Sequence, residues 1–314
     1  MTLNQVAVIG AGLMGTTIAL DFALAGYAVR ITDANAQSLK NSEATARVHA
    51  ELLQTHGALP ESVGTVLARI ERCPALAAAV HGADLVVEAV PENLDLKRAL
   101  FRQIDAHADP GAILASNTSS FVPSLLADAT GRPERFLVAH YWNPAHLIPL
   151  VELVPSAQTD PEVVEALRAL YTRMGKQPVV VRREKLGFIG NRLQFALLRE
   201  AMALVEEGVA TPDDVDTVVR ASFGRRLPAT GIFHTADLGG LDVLLAICRT
   251  LFPDLAANAE PGPSMPALVE DDRLGVKTHA GWFRYGPGEA DELRRTLSEE
   301  LIRRAQEDRS GSGL

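Results

Sequence analysis

Three glycines near the start of the chain have a spacing that could hold a dinucleotide. The apolar run Val6–Ile9 leads into a turn that contains Gly10, Gly12 and Gly15, and a helical pattern follows. In such a turn the first glycine permits a tight bend, the second lets the backbone approach a pyrophosphate, and the third allows close helix–strand packing. The free N–H groups at the start of the helix then face the phosphates. Because glycines also mark ordinary turns, the triplet alone fits a turn without a ligand equally well.

A carboxylate follows the second apolar run, where the ribose of a bound nucleotide would lie. The run Val29–Thr32 ends in Asp33, 18 positions after Gly15. A carboxylate there accepts a hydrogen bond from the ribose 2′-hydroxyl and repels a 2′-phosphate, so the sequence predicts NAD rather than NADP. Proteins that bind FAD or S-adenosylmethionine use similar turns, so this motif alone does not exclude those two cofactors. Leu13 and Met14, which begin the helix, are predicted to line the same cofactor.

The elements that must position these residues alternate between strands and helices up to about residue 182. Near-continuous apolar strands separated by helices of 10 to 15 residues predict a mostly parallel sheet covered on both faces. The predicted strands are Val6–Ile9, Val29–Thr32, Leu85–Glu88, Ile113–Ala115, Leu137–His140, Val151–Val154 and Val179–Val181.

After Gly187 the pattern becomes helical, beginning with a long apolar segment from Phe188 to Glu207. The sequence therefore predicts an α/β fold with two parts. Residues 1–185 are expected to form a Rossmann-type NAD-binding domain. Residues 186–314 are expected to form an all-α domain for substrate binding and dimerisation.

Composition and charge exclude several classes of protein. The 314 residues carry 30 basic and 39 acidic side chains, a net charge of −9, without a basic block that could bind nucleic acid. Cys73 and Cys248 fit neither a disulfide framework nor a metal site, so we expect no metal and a reducing cytoplasm. No apolar run is long enough to suggest a membrane span, and the start of the chain lacks the basic region of a signal peptide.

Beyond the glycines, the chain resembles the 3-hydroxyacyl-CoA dehydrogenase family along nearly its whole length. Five blocks in the family's order carry the resemblance, which makes it far more specific than any one of them. They are Val90-Pro-Glu-Asn-Leu-Asp-Leu-Lys97, Ser116-Asn-Thr-Ser-Ser120, His140-Tyr-Trp-Asn-Pro144, Gly187-Phe-Ile-Gly-Asn-Arg192 and Gly275-Val-Lys-Thr278.

The resemblance implies a role for particular residues of this chain. His140 would be the general acid–base, and Glu152, twelve positions later, would orient it. Ser119 and Asn191 would be the catalytic serine and the asparagine on the substrate side. The residues implied to line the cofactor are Glu92, Lys97, Asn143 and Lys277.

These residue types suit the oxidation of an alcohol. Histidine has an ordinary pKa near neutrality and can take the hydroxyl proton, while a carboxylate on its other ring nitrogen fixes the tautomer. Ser119 and Asn191 can donate hydrogen bonds to the substrate oxygen. Each residue also has a structural alternative: His140 as an ordinary hydrogen-bonding group, Ser119 as a helix cap, Glu152 as a polar strand residue, and Asn191 as a polar residue that caps the first turn of a helix.

Three features leave the substrate undetermined. Residues 36–74 carry four basic and four acidic side chains and lack a lysine-rich run for a CoA phosphate. The blocks at 90–98 and 148–155 resemble the λ-crystallin/L-gulonate 3-dehydrogenase branch, whereas those at 116–120 and 277–278 resemble the acyl-CoA branch. Ile232 also replaces a proline common in the family, so the resemblance does not determine the shape of the substrate pocket.

Three functions follow from this comparison. The leading expectation is an NAD-dependent oxidoreductase of a 3-hydroxyacyl substrate, with a place in fatty acid metabolism. The second is a CoA-free dehydrogenase of small 3-hydroxy acids. The third is a non-catalytic NADH-binding protein of the crystallin type, against which the complete set of catalytic residue types argues. The crowded apolar side chains of the first C-terminal helix also predict a homodimer.

Overall fold

Short aliphatic and β-branched runs form one eight-stranded sheet in the computed structural model, which describes residues 3–310. Its strands are β1 (Gln5–Ile9), β2 (Ala28–Thr32), β3 (Ile70–Arg72), β4 (Leu85–Glu88), β5 (Ile113–Ser116), β6 (Phe136–Tyr141), β7 (Leu150–Pro155) and β8 (Gln177–Val180). Their order in the sheet is β3-β2-β1-β4-β5-β6-β7-β8. All neighbours are parallel except β6 and β7, which run antiparallel. This arrangement confirms the predicted mostly parallel, Rossmann-type sheet.

Seven helices cover the two faces of this sheet. They are α1 (Leu13–Leu24), α2 (Ala36–Thr55), α3 (Val63–Leu67), α4 (Leu76–Val80), α5 (Leu94–His107), α6 (Ser124–Ala127) and α7 (Pro161–Arg173). Alternate strand residues enter two separate buried clusters: Val8 joins the cluster under α1, α2, α3 and α7, and Ala7 joins the one under α4, α5 and α6. The strands that are buried on both faces are therefore apolar along most of their length rather than alternating.

The remaining helices are α8 (Gly190–Glu206), α9 (Pro212–Ala221), α10 (Leu227–Gly239), α11 (Leu241–Leu251), α12 (Ser264–Glu270) and α13 (Glu289–Ser310). They confirm the predicted helical C-terminal part. No single helix within residues 3–310 is long and apolar enough to cross a membrane; α10 and α11, bent by 98° at their junction, reach that length and composition only as a pair.

The chain divides into two compact units, and the division lies at Asn191/Arg192. The first unit holds the residues up to Asn191 together with Ser298–Ser310, and the second holds Arg192–Leu297. The end of α13 belongs to the first unit because Ile302 is buried against Leu53, Ala58 and Leu147. Gln306 also donates a hydrogen bond of 2.8 Å to the carbonyl of His56. Residues 298–310 of the predicted domain 186–314 therefore pack within the first unit, residues 311–314 lie outside the described part, and the division at 185/186 stays a prediction.

Candidate active site

The glycine turn has the geometry of a phosphate cradle. A Cβ on Gly10, whose φ is +106°, would lie 2.6 Å from the carbonyl oxygen of Ala89, and one on Gly15 would lie 1.8 Å from the carbonyl oxygen of Gly10. Both positions therefore require glycine. A Cβ on Gly12 would meet nothing within 4 Å, so the space beside the start of α1 is open. The unbonded N–H groups of the first helical turn, at Leu13 and its neighbours, fit a pyrophosphate there.

Asp33 lies at the carboxyl end of β2, as predicted. Its two carboxylate oxygens accept hydrogen bonds from Ala11 N at 2.6 Å and from Asn35 N at 2.7 Å. Each oxygen keeps a second lone pair, which is available to a ribose hydroxyl. The carboxylate borders a cavity of about 320 Å³ that fits the adenosine end of a dinucleotide; its lining is Asp33, Ala34, Ala36, Leu39, Lys40, Arg72 and Pro74.

Lys97 lies beneath this site rather than on its surface. Its side chain is 1% exposed, and its ammonium bonds to Glu88 Oε1 at 2.6 Å, Glu92 Oε2 at 3.2 Å and the Val90 carbonyl at 3.1 Å. Since an ammonium has three donors, all of them are used inside the protein. Glu88, which is fully buried, also accepts a bond of 2.5 Å from Ser116 Oγ. Lys97 thus supports the site wall at the ends of β4 and β5, and a direct contact with the cofactor stays a prediction.

Glu92 holds the turn that carries Ser119. Its Oε1 accepts hydrogen bonds from Ser120 Oγ at 2.6 Å, Ser120 N at 3.0 Å and Ser119 N at 3.2 Å, and also from Thr118 Oγ1. Burial alone would raise the pKa of the Glu92 carboxyl, but the bonds from Ser120 and Thr118 and the charge of Lys97 outweigh it and lower that pKa. The ionised carboxylate of Glu92 therefore stabilises the turn by accepting these hydrogen bonds. The side chain of Ser119 itself is exposed.

His140 and Glu152 meet across the antiparallel pair of strands. The register of β6 and β7 places them directly opposite each other, and Nδ1 of His140 lies 2.9 Å from Oε2 of Glu152. His140 is 5% exposed and Glu152 is 1% exposed. The contact between His140 and Glu152 that the resemblance implies is thus present in the structure as a buried hydrogen bond. A carboxylate on Nδ1 favours the tautomer that carries its proton there, which leaves Nε2 as an acceptor.

The other oxygen of Glu152 is held by the start of α8. Oε1 accepts hydrogen bonds from Ile189 N at 2.9 Å and Gly190 N at 3.0 Å. Burial alone would raise the pKa of the Glu152 carboxyl, but the hydrogen bonds from His140, Gly190 and Ile189 outweigh it and leave the pKa below its ordinary value. Glu152 is consequently a charged partner for His140, and both of its oxygens accept hydrogen bonds.

Two aromatic residues that the sequence analysis did not single out enclose the imidazole. The ring centroid of His140 lies 5.8 Å from that of Trp142 and 5.4 Å from that of Phe188. A Cβ on Gly190 would lie 2.4 Å from Cζ2 of Trp142, so the block Gly187–Arg192 needs its second glycine to admit the indole. Both aromatic residues lie inside sequence blocks that carry the family resemblance, and this position is the only feature of the sequence that could have marked them as part of the site. They shield the His140–Glu152 bond from water.

Asn191 connects the start of α8 to the serine turn. Its Nδ2 donates a long hydrogen bond of 3.4 Å to the carbonyl oxygen of Ser119. One chain of hydrogen bonds and adjacent residues within the first unit therefore connects the four predicted catalytic residues, His140, Glu152, Asn191 and Ser119.

The other two predicted cofactor residues have different placements. Asn143 is exposed in the loop between β6 and β7. Lys277 is exposed in a turn of the second unit, bounded by the bridge from Gly275 to Ala280, and its role stays a prediction. Within residues 3–310 no three His, Cys, Asp or Glu side chains are grouped as metal ligands would be.

Comparison with known proteins agrees with this geometry. Residues 5–185 match the NAD-binding domain of 3-hydroxyacyl-CoA dehydrogenase, and residues 187–285 match its C-terminal domain. A 5-formyl-3-hydroxy-2-methylpyridine 4-carboxylate 5-dehydrogenase of Mesorhizobium japonicum is 34% identical over 302 residues, 96% of both chains. A crystal structure of an enzyme of this activity, described as an NAD⁺-dependent dismutase, superposes with a TM-score of 0.90 at 33% identity, covering 96% of this chain and 97% of the other.

Relatives from both predicted branches are also similar. The human λ-crystallin homolog is 38% identical over 245 residues, 77% of this chain and 76% of that protein. The pig mitochondrial hydroxyacyl-coenzyme A dehydrogenase is 37% identical over 290 residues, 90% of this chain and 91% of that protein. These matches confirm NAD as the cofactor and the oxidoreductase class, and the chain belongs to the 3-hydroxyacyl-CoA dehydrogenase family.

Proposed function

We propose that this protein oxidises a 3-hydroxy group, or reduces the corresponding 3-oxo group, of an acyl substrate. The observation that carries the proposal is the buried hydrogen bond between His140 Nδ1 and Glu152 Oε2 at 2.9 Å. It leaves Nε2 as the proton acceptor in a site bordered by the serine turn and the start of α8. When bound, NAD⁺ supplies the hydride acceptor of the reaction.

The protein's own groups then divide the remaining work. His140 Nε2 accepts the hydroxyl proton as the alcohol is oxidised, and it returns a proton in the reverse direction. Glu152 stabilises the imidazolium that forms, because its carboxylate is already charged and held by two backbone N–H groups. Ser119 and Asn191 donate hydrogen bonds to the substrate oxygen.

A second candidate, a small hydroxy acid without CoA, is supported by the charges of residues 36–74. The phosphates of CoA bind best to unpaired Lys and Arg side chains. Three of the four basic side chains of this segment are already in ion pairs: Arg47 with Glu43 at 3.7 Å, Arg72 with Glu43 at 2.9 Å, and Arg69 with Glu61 at 2.8 Å. The Mesorhizobium relative, whose named substrate is a pyridine carboxylate, also supports this candidate.

A substrate panel separates these functions. Acetoacetyl-CoA, acetoacetate and several free 3-hydroxy acids would be offered with NADH or NAD⁺, and the nicotinamide absorbance band would be followed. Turnover of the thioester well above that of the free acids supports the first candidate, and the reverse order supports the second. NADH binding without any turnover would contradict both and favour a non-catalytic NADH-binding protein.

The cofactor choice is predicted to depend on Asp33. Replacing it with serine removes the repulsion of a 2′-phosphate and leaves Lys40 on the same cavity wall. The preference for NAD over NADP in kcat/KM should therefore fall by about ten- to a hundred-fold. Asp128→Ser, which removes an exposed carboxylate elsewhere, is the matched control and should leave the ratio unchanged. Equal use of NAD and NADP by the wild type would contradict this role.

A homodimer through the C-terminal helices is the second prediction here. Among residues 192–297 only Met202, Gly281 and Ala290 are buried, whereas Phe233 is 85% exposed and Leu238 is 80% exposed. A helical unit with so little buried apolar surface needs a partner of obligate interface size, and a second copy of the chain fits that need. Sedimentation at micromolar concentration should give twice the 33.6 kDa of one chain. A monomer at that concentration would contradict the prediction.

A further inference from the structure

We propose that Lys176 is a positioning residue that fixes the loop between β6 and β7 against α1, the helix of the glycine turn. This inference rests on the proposed function, because the loop follows His140 and contains Asn143. It concerns a residue that neither the sequence motifs nor the His140–Glu152 pair explains.

The ammonium of Lys176 joins three parts of the first unit. Lys176 lies between α7 and β8, and its Nζ donates hydrogen bonds to the carbonyl oxygens of Ala145 at 2.5 Å and Ile148 at 3.2 Å. The same atom lies 3.0 Å from Oδ1 of Asp21, in the third turn of α1. It also lies 5.9 Å from the ring centroid of Tyr141, the residue next to His140.

This ion pair is buried and therefore costly. The side chain of Lys176 is 5% exposed and that of Asp21 is 9% exposed. Removing two charges from water is energetically costly, and a buried pair is often no more stabilising than apolar residues of the same volume. Burial of this pair is better explained by the defined geometry that it imposes than by stability alone.

The ion pair fixes the distance between α1, the helix that follows the glycine turn, and the strands β6 and β7, which carry His140 and Glu152. α1 begins at Leu13, beside the proposed pyrophosphate site, and Asp21 belongs to the same rigid helix. The loop that Lys176 holds connects the strands of His140 and Glu152. One side chain thus sets the position of Asn143 and the end of β6 relative to the cofactor. A small misplacement of such groups lowers turnover without preventing binding.

The test removes both charges together, because removing the cation alone would leave a buried carboxylate without its counter-charge. In the double variant Asp21→Asn/Lys176→Met, kcat should fall by about ten- to a hundred-fold, while the Kd for NADH from fluorescence titration stays within about twofold. The matched control is Arg69→Met. Arg69 also donates to an α1 carbonyl, Ala23 O at 3.1 Å, and pairs with a carboxylate, Glu61, but does not bond to the loop.

Hydrogen exchange of the protein without cofactor gives a readout that does not depend on turnover. The backbone N–H groups of Trp142, Asn143 and residues 145–148 should exchange faster in the double variant and at the wild-type rate in Arg69→Met. A wild-type kcat in the double variant, unchanged exchange of this loop, or an equal loss of kcat in Arg69→Met would overturn the role of Lys176. If the wild type turns over no substrate of the panel, the proposed function fails, and the exchange comparison still decides whether Lys176 fixes the loop.

Discussion

Replacing His140 with alanine is expected to lower kcat by roughly two to four orders of magnitude while the Kd for NADH changes little. The substitution removes the proton acceptor of the reaction. It leaves the glycine turn, Asp33 and the adenosine cavity untouched, because these lie at the ends of β1 and β2, on the other side of β4 and β5 from β6. Steady-state kinetics and NADH fluorescence titration measure the two effects separately.

His107→Ala is the matched control for this experiment. His107 is an exposed histidine at the end of α5, outside the site, so its loss should leave kcat unchanged. A kcat for His140→Ala within about tenfold of the wild-type value would contradict its role as the general base. A parallel loss of NADH binding would instead indicate that the substitution disrupts the site as a whole.

The fold could be predicted from the sequence because local patterns determine most of it. Continuous apolar runs separated by helical segments predicted seven of the eight strands, each within two residues of its observed ends. The missed strand, β3, has only three residues, Ile70–Arg72, of which the last two are charged. Its pairing with β2 comes from tertiary position rather than from its own pattern, so no local signal marks it.

The site could be predicted less completely because several of its contacts connect distant parts of the chain. The types and order of His140 and Glu152 were visible in the sequence. The register that sets them opposite each other depends on the loop between β6 and β7, which makes the two strands antiparallel. The N–H groups of Ile189 and Gly190 carry no side-chain signal at all, yet they hold Glu152. Lys97 could not be recognised as buried, since lysine is almost always exposed unless it is paired.

The boundary between the two units illustrates the same limit. A change from strand to helix patterns near Gly187 marks where the sheet ends, but not where contacts separate. The end of α13 returns to the first unit through Ile302 and Gln306. Such a return is decided by packing between residues about 250 positions apart, a separation that no local pattern encodes.

Replacing Glu152 with glutamine is expected to lower kcat by about two orders of magnitude or more. The amide oxygen would keep the bonds from Ile189 N and Gly190 N, so the NH₂ group would face Nδ1 of His140. Two donors cannot share that contact, and the imidazole proton would move to Nε2, where it blocks proton acceptance. The measurement is kcat at saturating substrate, with the exposed Glu51→Gln as control.

The same substitution has a signature in stability. Because the pKa of Glu152 is lowered in the folded protein, its carboxylate contributes stability that is present above the ordinary glutamate pKa. That contribution is lost as the pH falls through the lowered pKa. The free energy of unfolding of the wild type should therefore fall more steeply in acid than that of Glu152→Gln, and denaturant titrations across this interval measure the difference.

A double-mutant cycle separates a catalytic pair from a structural strand residue. If Glu152 acts only through His140, then Glu152→Gln has nothing left to impair once His140 is alanine, and the double variant should be little slower than His140→Ala. If the two losses multiply instead, Glu152 contributes by a separate route. If Glu152→Gln lowers kcat only to the extent that it unfolds the protein, the carboxylate is a structural residue of β7. Independent losses or unfolding alone would leave His140 to work without Glu152, because the 2.9 Å contact would then have no part in catalysis.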